Sequence, residues 1–427
     1  MKWPYLKSPV LLILALVLGL AVVVAGCGGG GSSSSSTATE QEPSGGEEAA
    51  GEEEAGEEEE AGTEDVASES EPEYKILSEE EVLAGTGGKP PTSSPPAAEG
   101  AEIWWVSCGM QIPDCSVPAK SAEAAAKKLG VGFHIADGKL NENGGDLTAV
   151  KTALAANPSA LIIHGISCNL IAPALQEAKS RGIPVMGVEA LDCDEGLEEG
   201  EEGTELFTAE MKYNESAESG LEYFQSWGNI AASYMIDKLG ENIKLINAEA
   251  TEAGLQKTVA TAYNATFELC KGCEVLDSIK FVSSDLAPGG AFAQALRTSL
   301  VKDASTATAL YVPFDVNITA AEGAAEVEKQ GLTGKLFTCC GSGGAPVLDL
   351  VRAGKWSATE SHSAEWMGWG AIDNINRVLN EEETVPEGIG FVIATKEKNL
   401  PENPEEEFNP PGLNWQQEYE KSWKAAG

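Results

Sequence analysis

Residues 101–136 read AEIWWVSCGMQIPDCSVPAKSAEAAAKKLGVGFHIA. Glu102–Ser107 is an apolar run of strand length, Ala119–Leu129 sets Ala, Leu and Lys at helical spacing, and Gly132–Ala136 is a second strand-like run. A strand, a helix and a strand in that order make a crossover between parallel neighbours. The alternation continues outward. Further strand-like runs lie at Ala160–His164, Pro184–Glu189, Lys244–Ala248, Ile279–Ser283, Ala309–Phe314, Lys335–Cys339 and Gly390–Thr395, with helical stretches such as Ala172–Ser180 between them. Continuous apolar strands separated by helices imply parallel sheets covered on both faces. The series from residue 101 to 427 is long enough for two α/β lobes, each a Rossmann-like parallel sheet flanked by helices. Ligands of such sheets bind beyond the carboxyl ends of the strands, so a cleft between two lobes would gather the strand ends of both.

The first hundred residues read differently. Lys2 and Lys7 precede an apolar run from Val10 to Val24, which is shorter than the roughly 20 residues a membrane span needs. A basic start, an apolar stretch and small residues after it describe an export signal. The run closes on Val24-Ala25-Gly26-Cys27, which resembles the lipobox of bacterial lipoproteins, and the resemblance implies that Cys27 becomes the lipidated first residue of the mature chain. Two or more acyl chains hold a protein on a membrane where one is marginal. The segment from residue 28 to about 100 is rich in Gly, Ser, Glu and Pro and poor in large apolar side chains, so it reads as a disordered acidic tether. About 70 such residues span roughly 45–50 Å, and repelling Glu side chains stretch them further. Within it, Ile76–Leu83 carries a capping-box pattern, Ser78 with Glu81, good for one or two helical turns.

Net charge is −40, with 28 Lys and Arg against 68 Asp and Glu. That balance excludes a nucleic-acid partner, which needs a basic surface, and docking on anionic lipid by a polybasic patch. An enzyme needs a nucleophile with its base, a carboxylate pair or a metal cluster. The chain holds three dispersed His residues and no Gly-x-Ser-x-Gly, Walker or His-Glu-x-x-His string, so no enzyme, cofactor or metal is expected.

Several segments of the folded region resemble the type 1 periplasmic solute-binding proteins, in the ribose/galactose-like sugar-binding branch that serves ABC importers. They run in order from Gln111-Ile112-Pro113-Asp114 through Ala126-Lys127-Lys128-Leu129-Gly130, Asn157-Pro158-Ser159-Ala160, Ala172-Pro173-Ala174-Leu175 and Arg181-Gly182-Ile183-Pro184-Val185 to Phe314-Asp315, Cys340-Gly341, Arg352-Ala353-Gly354-Lys355 and Ala358-Thr359. The resemblance implies two lobes joined by a three-crossing hinge, an N-lobe of about 101–226 plus 363–395 and a C-lobe of about 227–362 plus 396–427. It implies capture of a small polar solute, a sugar or sugar-like molecule, by a monomer on the extracytoplasmic face of the cell membrane, and delivery to an ABC permease. The alternative with the same site is a sensing receptor that presents its closed form to a membrane kinase or chemoreceptor.

Ligand positions carry over one at a time. The loop after the first strand gives Gln111, Asp114 and Cys115, where sugar-binding relatives place aromatic rings at the last two. The Asp-Arg pair at the end of the fourth strand reads Glu189-Ala190 here, and the Asn-Asp pair of the second lobe reads Phe314-Asp315. The Asp before a Gly reads Cys340, and the Gln after the last hinge strand reads His362. The second-lobe Arg has no counterpart, with Gln256 or Lys257 nearest. The bidentate clamp that suits a polyol is therefore largely replaced. Trp105, Phe314, Trp366 and Trp369 are the candidates for apolar faces instead.

Cys27 apart, eight cysteines remain in an exported domain, where bridges form. Spacing suggests Cys108–Cys115, Cys168–Cys193 and Cys270–Cys273, with Cys339–Cys340 the least secure because a vicinal bridge is strained. Eight cysteines allow 105 connectivities, and for Cys270-Lys271-Gly272-Cys273 a redox or zinc role stays open beside the structural one. The lipid anchor gives a direct expectation: Cys27→Ser moves the protein from the membrane to the soluble fraction, and membrane retention of the variant in fractionation rules the anchor out.

Overall fold

The computed structural model describes residues 73–197, 202–252 and 254–426. The expected signal segment, Cys27 and the acidic stretch up to residue 72 lie outside the described residues. Among the described residues no helix is long and apolar enough to cross a membrane.

A short helix, α1 (Glu79–Ala84), precedes the N-lobe, which runs β1 (Glu102–Ser107), α2 (Pro113–Leu129), β2 (Gly132–Asp137), α3 (Gly145–Ala155), β3 (Ala160–His164), α4 (Cys168–Ser180), β4 (Val185–Val188) and β5 (Ala209–Glu210). Its five strands are parallel, in the order β2-β1-β3-β4-β5. The C-lobe runs α5 (Gly220–Leu239), β6 (Lys244–Ala250), α6 (Leu255–Glu268), β7 (Glu274–Phe281), α7 (Ala291–Asp303), β8 (Ala309–Tyr311), α8 (Asp315–Ile318), α9 (Gly323–Lys329), β9 (Phe337–Cys339) and α10 (Ala345–Arg352). Its four strands are also parallel, in the order β7-β6-β8-β9. An antiparallel pair, β10 (Ala358–Ser361) and β11 (Val392–Thr395), flanks α11 (Ala364–Leu379), and α12 (Trp415–Ala426) closes the chain.

The expected α/β fold with two parallel-sheet lobes is the one observed. Each strand-like run contains a strand; β7 starts earlier, at Glu274, and β5 and β10 are additional short strands that the apolar pattern does not mark. Every residue of β3 and β4 is buried, as a central parallel strand covered on both faces requires. Small residues on α2, among them Ala119, Ala122, Ala125 and Ala126, let α11 approach closely. At the contact stands Gly368, where a Cβ would come within 2.4 Å of the Pro118 carbonyl oxygen.

Three chain passages join the lobes. The first, 211–219, runs beside the third: Ile389 N–H donates to Tyr213 O at 2.7 Å and Asn214 Nδ2 donates to Ile389 O at 2.8 Å. The second passes through β10, whose four residues are all buried.

Two expected boundaries change. Residues 73–100, assigned to the tether, are fixed on the fold. Ser78 and Glu81 cap α1 reciprocally as their spacing predicts. The helix lies on α5, with Leu77 N–H donating to Ser233 Oγ at 3.0 Å and Lys238 pairing with Glu79 at 2.8 Å. The chain then crosses the hinge, where Thr86 N–H donates to Phe391 O at 2.9 Å and a Cβ on Gly85 would stand 2.7 Å from that same oxygen. It continues along α11, where Ala98 N–H donates to Asn376 Oδ1 at 2.9 Å. Apolar side chains are few in this segment; its polar backbone is held by Asn, Arg and Asp side chains of the folded part, a partner set that composition does not reveal.

The C-terminal stretch 396–427, expected on the C-lobe, divides between the lobes. Phe408 packs with Leu348 of α10, but α12 returns to α2 and α11 of the N-lobe. Aromatic packing decides this. Trp366 stacks on Trp415 at 6.1 Å and Trp369 on Trp423 at 5.2 Å, and Trp366 Nε1 donates to Tyr419 Oη at 3.0 Å.

One buried group ties strap, α11 and α12 together. Asp373 accepts from Arg377 Nε at 2.8 Å, from Ser94 Oγ at 2.6 Å and from Trp423 Nε1 at 2.7 Å, while Arg377 also reaches the Ser93 carbonyl. Removing one partner of a buried ion pair leaves the other uncompensated. Asp373→Ala is expected to cost about 3–5 kcal/mol in chemical denaturation and to expose 85–98 to protease. Denaturation and cleavage indistinguishable from wild type would refute this role.

Candidate functional site

The carboxyl ends of both sheets meet at a cleft of about 750 Å³, within the range of small-molecule sites. From the N-lobe, the loop after β1 supplies Gln111 and Asp114, α3 supplies Asp146, and the end of β4 supplies Glu189. From the C-lobe come Glu252 and Gln256 after β6, Ser283 after β7 and Phe314 after β8. Trp227 of α5 and His362 after β10 complete the hinge-side wall.

Glu189 is the most closely held group. It lies just past β4 at φ 46°, a region costly for a residue with a side chain. Its N–H donates to Tyr213 Oη at 2.6 Å. With the proton on Nε2, His164 donates to Glu189 Oε2 at 3.2 Å, and His362 Nε2 stands 3.5 Å from Oε1. Burial pushes the Glu189 carboxyl up, but the His164 hydrogen bond and the His362 and His164 charges outweigh it and hold the group below its ordinary value. Burial lowers His362 in turn, against the raising influence of Glu189. His362 is packed edge-on by Trp227 at 5.4 Å and by Phe391 at 5.2 Å.

Asp114, Asp146 and Asp315 are shifted the opposite way. Burial raises Asp114 well above its ordinary value, and the charges of Asp315, Glu189 and Glu407 add to it. Asp146 is pushed up to about 7 by burial and then by Glu252 and Asp137. Asp315 is raised to about 6 by burial, although it accepts the N–H groups of Ser342 at 2.7 Å and Gly344 at 2.6 Å. Those bonds shape the 342–344 loop, which borders the cleft.

Of the residues singled out from sequence, the structure brings Gln111, Asp114, Glu189, Phe314 and His362 to the cleft. Asp315 lies behind the 342–344 loop and reaches only a small side pocket of about 100 Å³ beside Gln111 and Asp114. Five do not line the cleft. Trp105 is wholly buried against His164 and Phe133, because its strand position points beneath the helices. Trp366 is spent in the α11–α12 aromatic cluster, as is Trp369. Cys340 is wholly buried, and its carbonyl accepts Trp356 Nε1 at 2.9 Å. Lys257 is one step around α6 from Gln256, which takes the cleft position. Trp227, Asp146, Glu252 and Ser283 were not among the expected residues. Glu252 and Ser283 follow β6 and β7 by two residues each, so the strand-end rule marks both.

Four sulfur pairs are joined: Cys108–Cys115, Cys168–Cys193, Cys270–Cys273 and Cys339–Cys340. The first anchors the loop that carries Gln111 and Asp114. The cluster of Cys168, Asp192 and Cys193 has metal-ligand spacing, but both thiols are committed to the second bridge.

Residues 104–383 match the family model of the periplasmic binding protein domain. The chain belongs to this family. Solved periplasmic binding proteins share its fold. A glucose-galactose binding protein, GanP, from Geobacillus stearothermophilus aligns with TM-score 0.58 at 17% identity, covering 70% of this chain and 98% of that one. A periplasmic ribose ABC transporter protein from Conexibacter woesei aligns with TM-score 0.53 at 21% identity, covering 71% and 94%. The binding component of an arabinose ABC transporter from a Shewanella species gives TM-score 0.54 at 18% identity, covering 76% and 96%. No curated protein matches the chain by sequence.

The raised Asp146 makes a signed prediction. Its folded value of about 7 exceeds the ordinary unfolded value near 3.9. Its contribution to stability is therefore fully present below the lower value and is lost as pH rises through the upper one. Asp146→Asn has no such titration, so its melting temperature should gain on wild type between pH 5 and pH 8. A constant difference across that range refutes the shift.

Proposed function

We propose that this chain is the solute-capturing subunit of an ABC import system, moored outside the cell membrane through lipid at Cys27. Its two lobes close on a small polar solute, a sugar or sugar-like molecule, and the closed form hands the solute to a membrane permease. The observation that carries this reading is the cleft to which both parallel sheets direct their strand ends. The family match and the sugar-binding proteins among its structural neighbours support it.

The geometry suits capture without chemistry. Contacts made to the solute by both lobes exist only when the lobes are together, so ligand shifts the open–closed balance by its differential affinity. Gln111, Gln256 and Ser283 supply neutral donors and acceptors from opposite sides. Trp227 and Phe314, edge to face at 5.5 Å, give an apolar wall on which a sugar face rests. A tether keeps the receptor near its permease at high local concentration.

A thermal-shift screen across sugars, polyols and amino-bearing solutes is expected to find a binder that raises the melting temperature, because a ligand of the native state stabilises it. Small-angle scattering should then show compaction on saturation. Trp227→Ala should weaken the binder by about tenfold or more, the scale of a lost aromatic contact. Saturation by a verified binder with unchanged scattering ends the closure mechanism.

A further inference from the structure

Six carboxylates border the cleft: Asp114, Glu142, Asp146 and Glu189 from the N-lobe, Glu252 after β6, and Glu407 on the segment that packs against α10. Among the described residues that line it, none is Lys or Arg. The two sides thus set carboxyl groups against each other, and like charge builds wherever they ionise. Asp146 feels Glu252 across the cleft, and Asp114 feels Asp315 and Glu407. Closing the lobes on a neutral solute brings these groups together while water leaves, which strengthens their repulsion. Closing on a cation reverses the sign of that interaction.

A second observation points to a donor-rich ligand. Among the described residues, Glu189 Oε1 and Asp146 Oδ1 accept no hydrogen bond, and the Gln256 Oε1 atom is likewise without a partner. Glu189 and Asp146 are only 9% and 5% exposed, and both line the cleft. Buried acceptors of this kind are costly unless a donor reaches them. A protonated amine offers three donors and no acceptor, the complement of such a set. The ring of Trp227 on the same wall adds the face that a cation prefers.

We propose that the cleft selects a small solute bearing a protonated amine, an amino sugar being the sugar-like case, with the ammonium held between Glu189 and Asp146 of one lobe and Glu252 of the other. The hydroxyl-matching groups Gln111, Gln256 and Ser283 take the remainder of the molecule. This rests on the solute-binding reading above and narrows it to a charge class.

Calorimetry on the full chain with matched pairs tests it: glucosamine with glucose, galactosamine with galactose, and putrescine with 1,4-butanediol. At least one amine is expected to bind about tenfold or more tighter than its neutral partner, the scale of a charge-assisted hydrogen bond. Glu189→Gln and Glu252→Gln should each weaken that amine by about tenfold and leave the melting profile cooperative. Since Glu189 also anchors two His residues, the Glu252 variant serves as the independent check should the first fail to fold. A neutral partner that binds as tightly as its amine in every pair overturns this inference alone. Amine binding unchanged in the Glu252→Gln variant also overturns it, because the charge is then met elsewhere. No binding by any of these probes or by any solute of the wider screen overturns both readings.

Discussion

A parallel sheet must hide both faces, and that requirement governs the molecule. The helices that cover β1–β5 and β6–β9 leave only the strand ends free for polar work. With two sheets directed at a common gap, nearly every polar choice in the loops is forced to the same place. Gln111, Glu189, Glu252 and Ser283 all lie within four residues of a strand's carboxyl end. The hinge is the other product of this layout. Passages that return between lobes must run side by side: the Ile389 N–H donates to Tyr213 O, and β10 pairs with β11.

The cleft is assembled at an electrostatic cost that the surroundings meet unevenly. Glu189 is compensated by two imidazoles, and Asp315 by the backbone of 342–344. Asp114 and Asp146 have no comparable support and are driven toward the neutral form. A protein selected for stability alone would replace such groups by apolar ones. Their presence at the cleft marks it as a part of the fold answering to a molecule outside the chain.

Much of this was legible in the residues. The apolar runs located the sheets because burial on both faces leaves few alternatives in composition. Strand-end position brought Glu189 and Phe314 to the cleft, and the loop after β1 brought Gln111 and Asp114. What stayed hidden was decided at long range. Trp105 and Trp366 are the same residue type as Trp227, and only the packing of α11 against α12 and of β1 beneath its helices says which ring faces the gap. Asp146 sits on a helix after an irregular loop, so no strand end points to it. The ordering of 73–100 depends on Asn376, Arg377 and Asp373, nearly three hundred residues away in sequence, and a segment so poor in apolar side chains carries no local trace of such partners.

The strap also sets where the N-terminal chain meets the fold. Residues 73–100 touch α5 of one lobe, the start of β11 at the hinge and α11 of the other, and none of them borders the cleft. Under the proposed mooring, the chain meets α5 first, where Asn229 Nδ2 donates to the Lys75 carbonyl at 2.8 Å, and only then reaches the hinge. The strap leaves the mouth of the cleft unobstructed. At the crossing, Gly88 N–H donates to Gly388 O at 2.8 Å and a Cβ on Gly85 would meet the Phe391 carbonyl, so the strap and the hinge passage must move together.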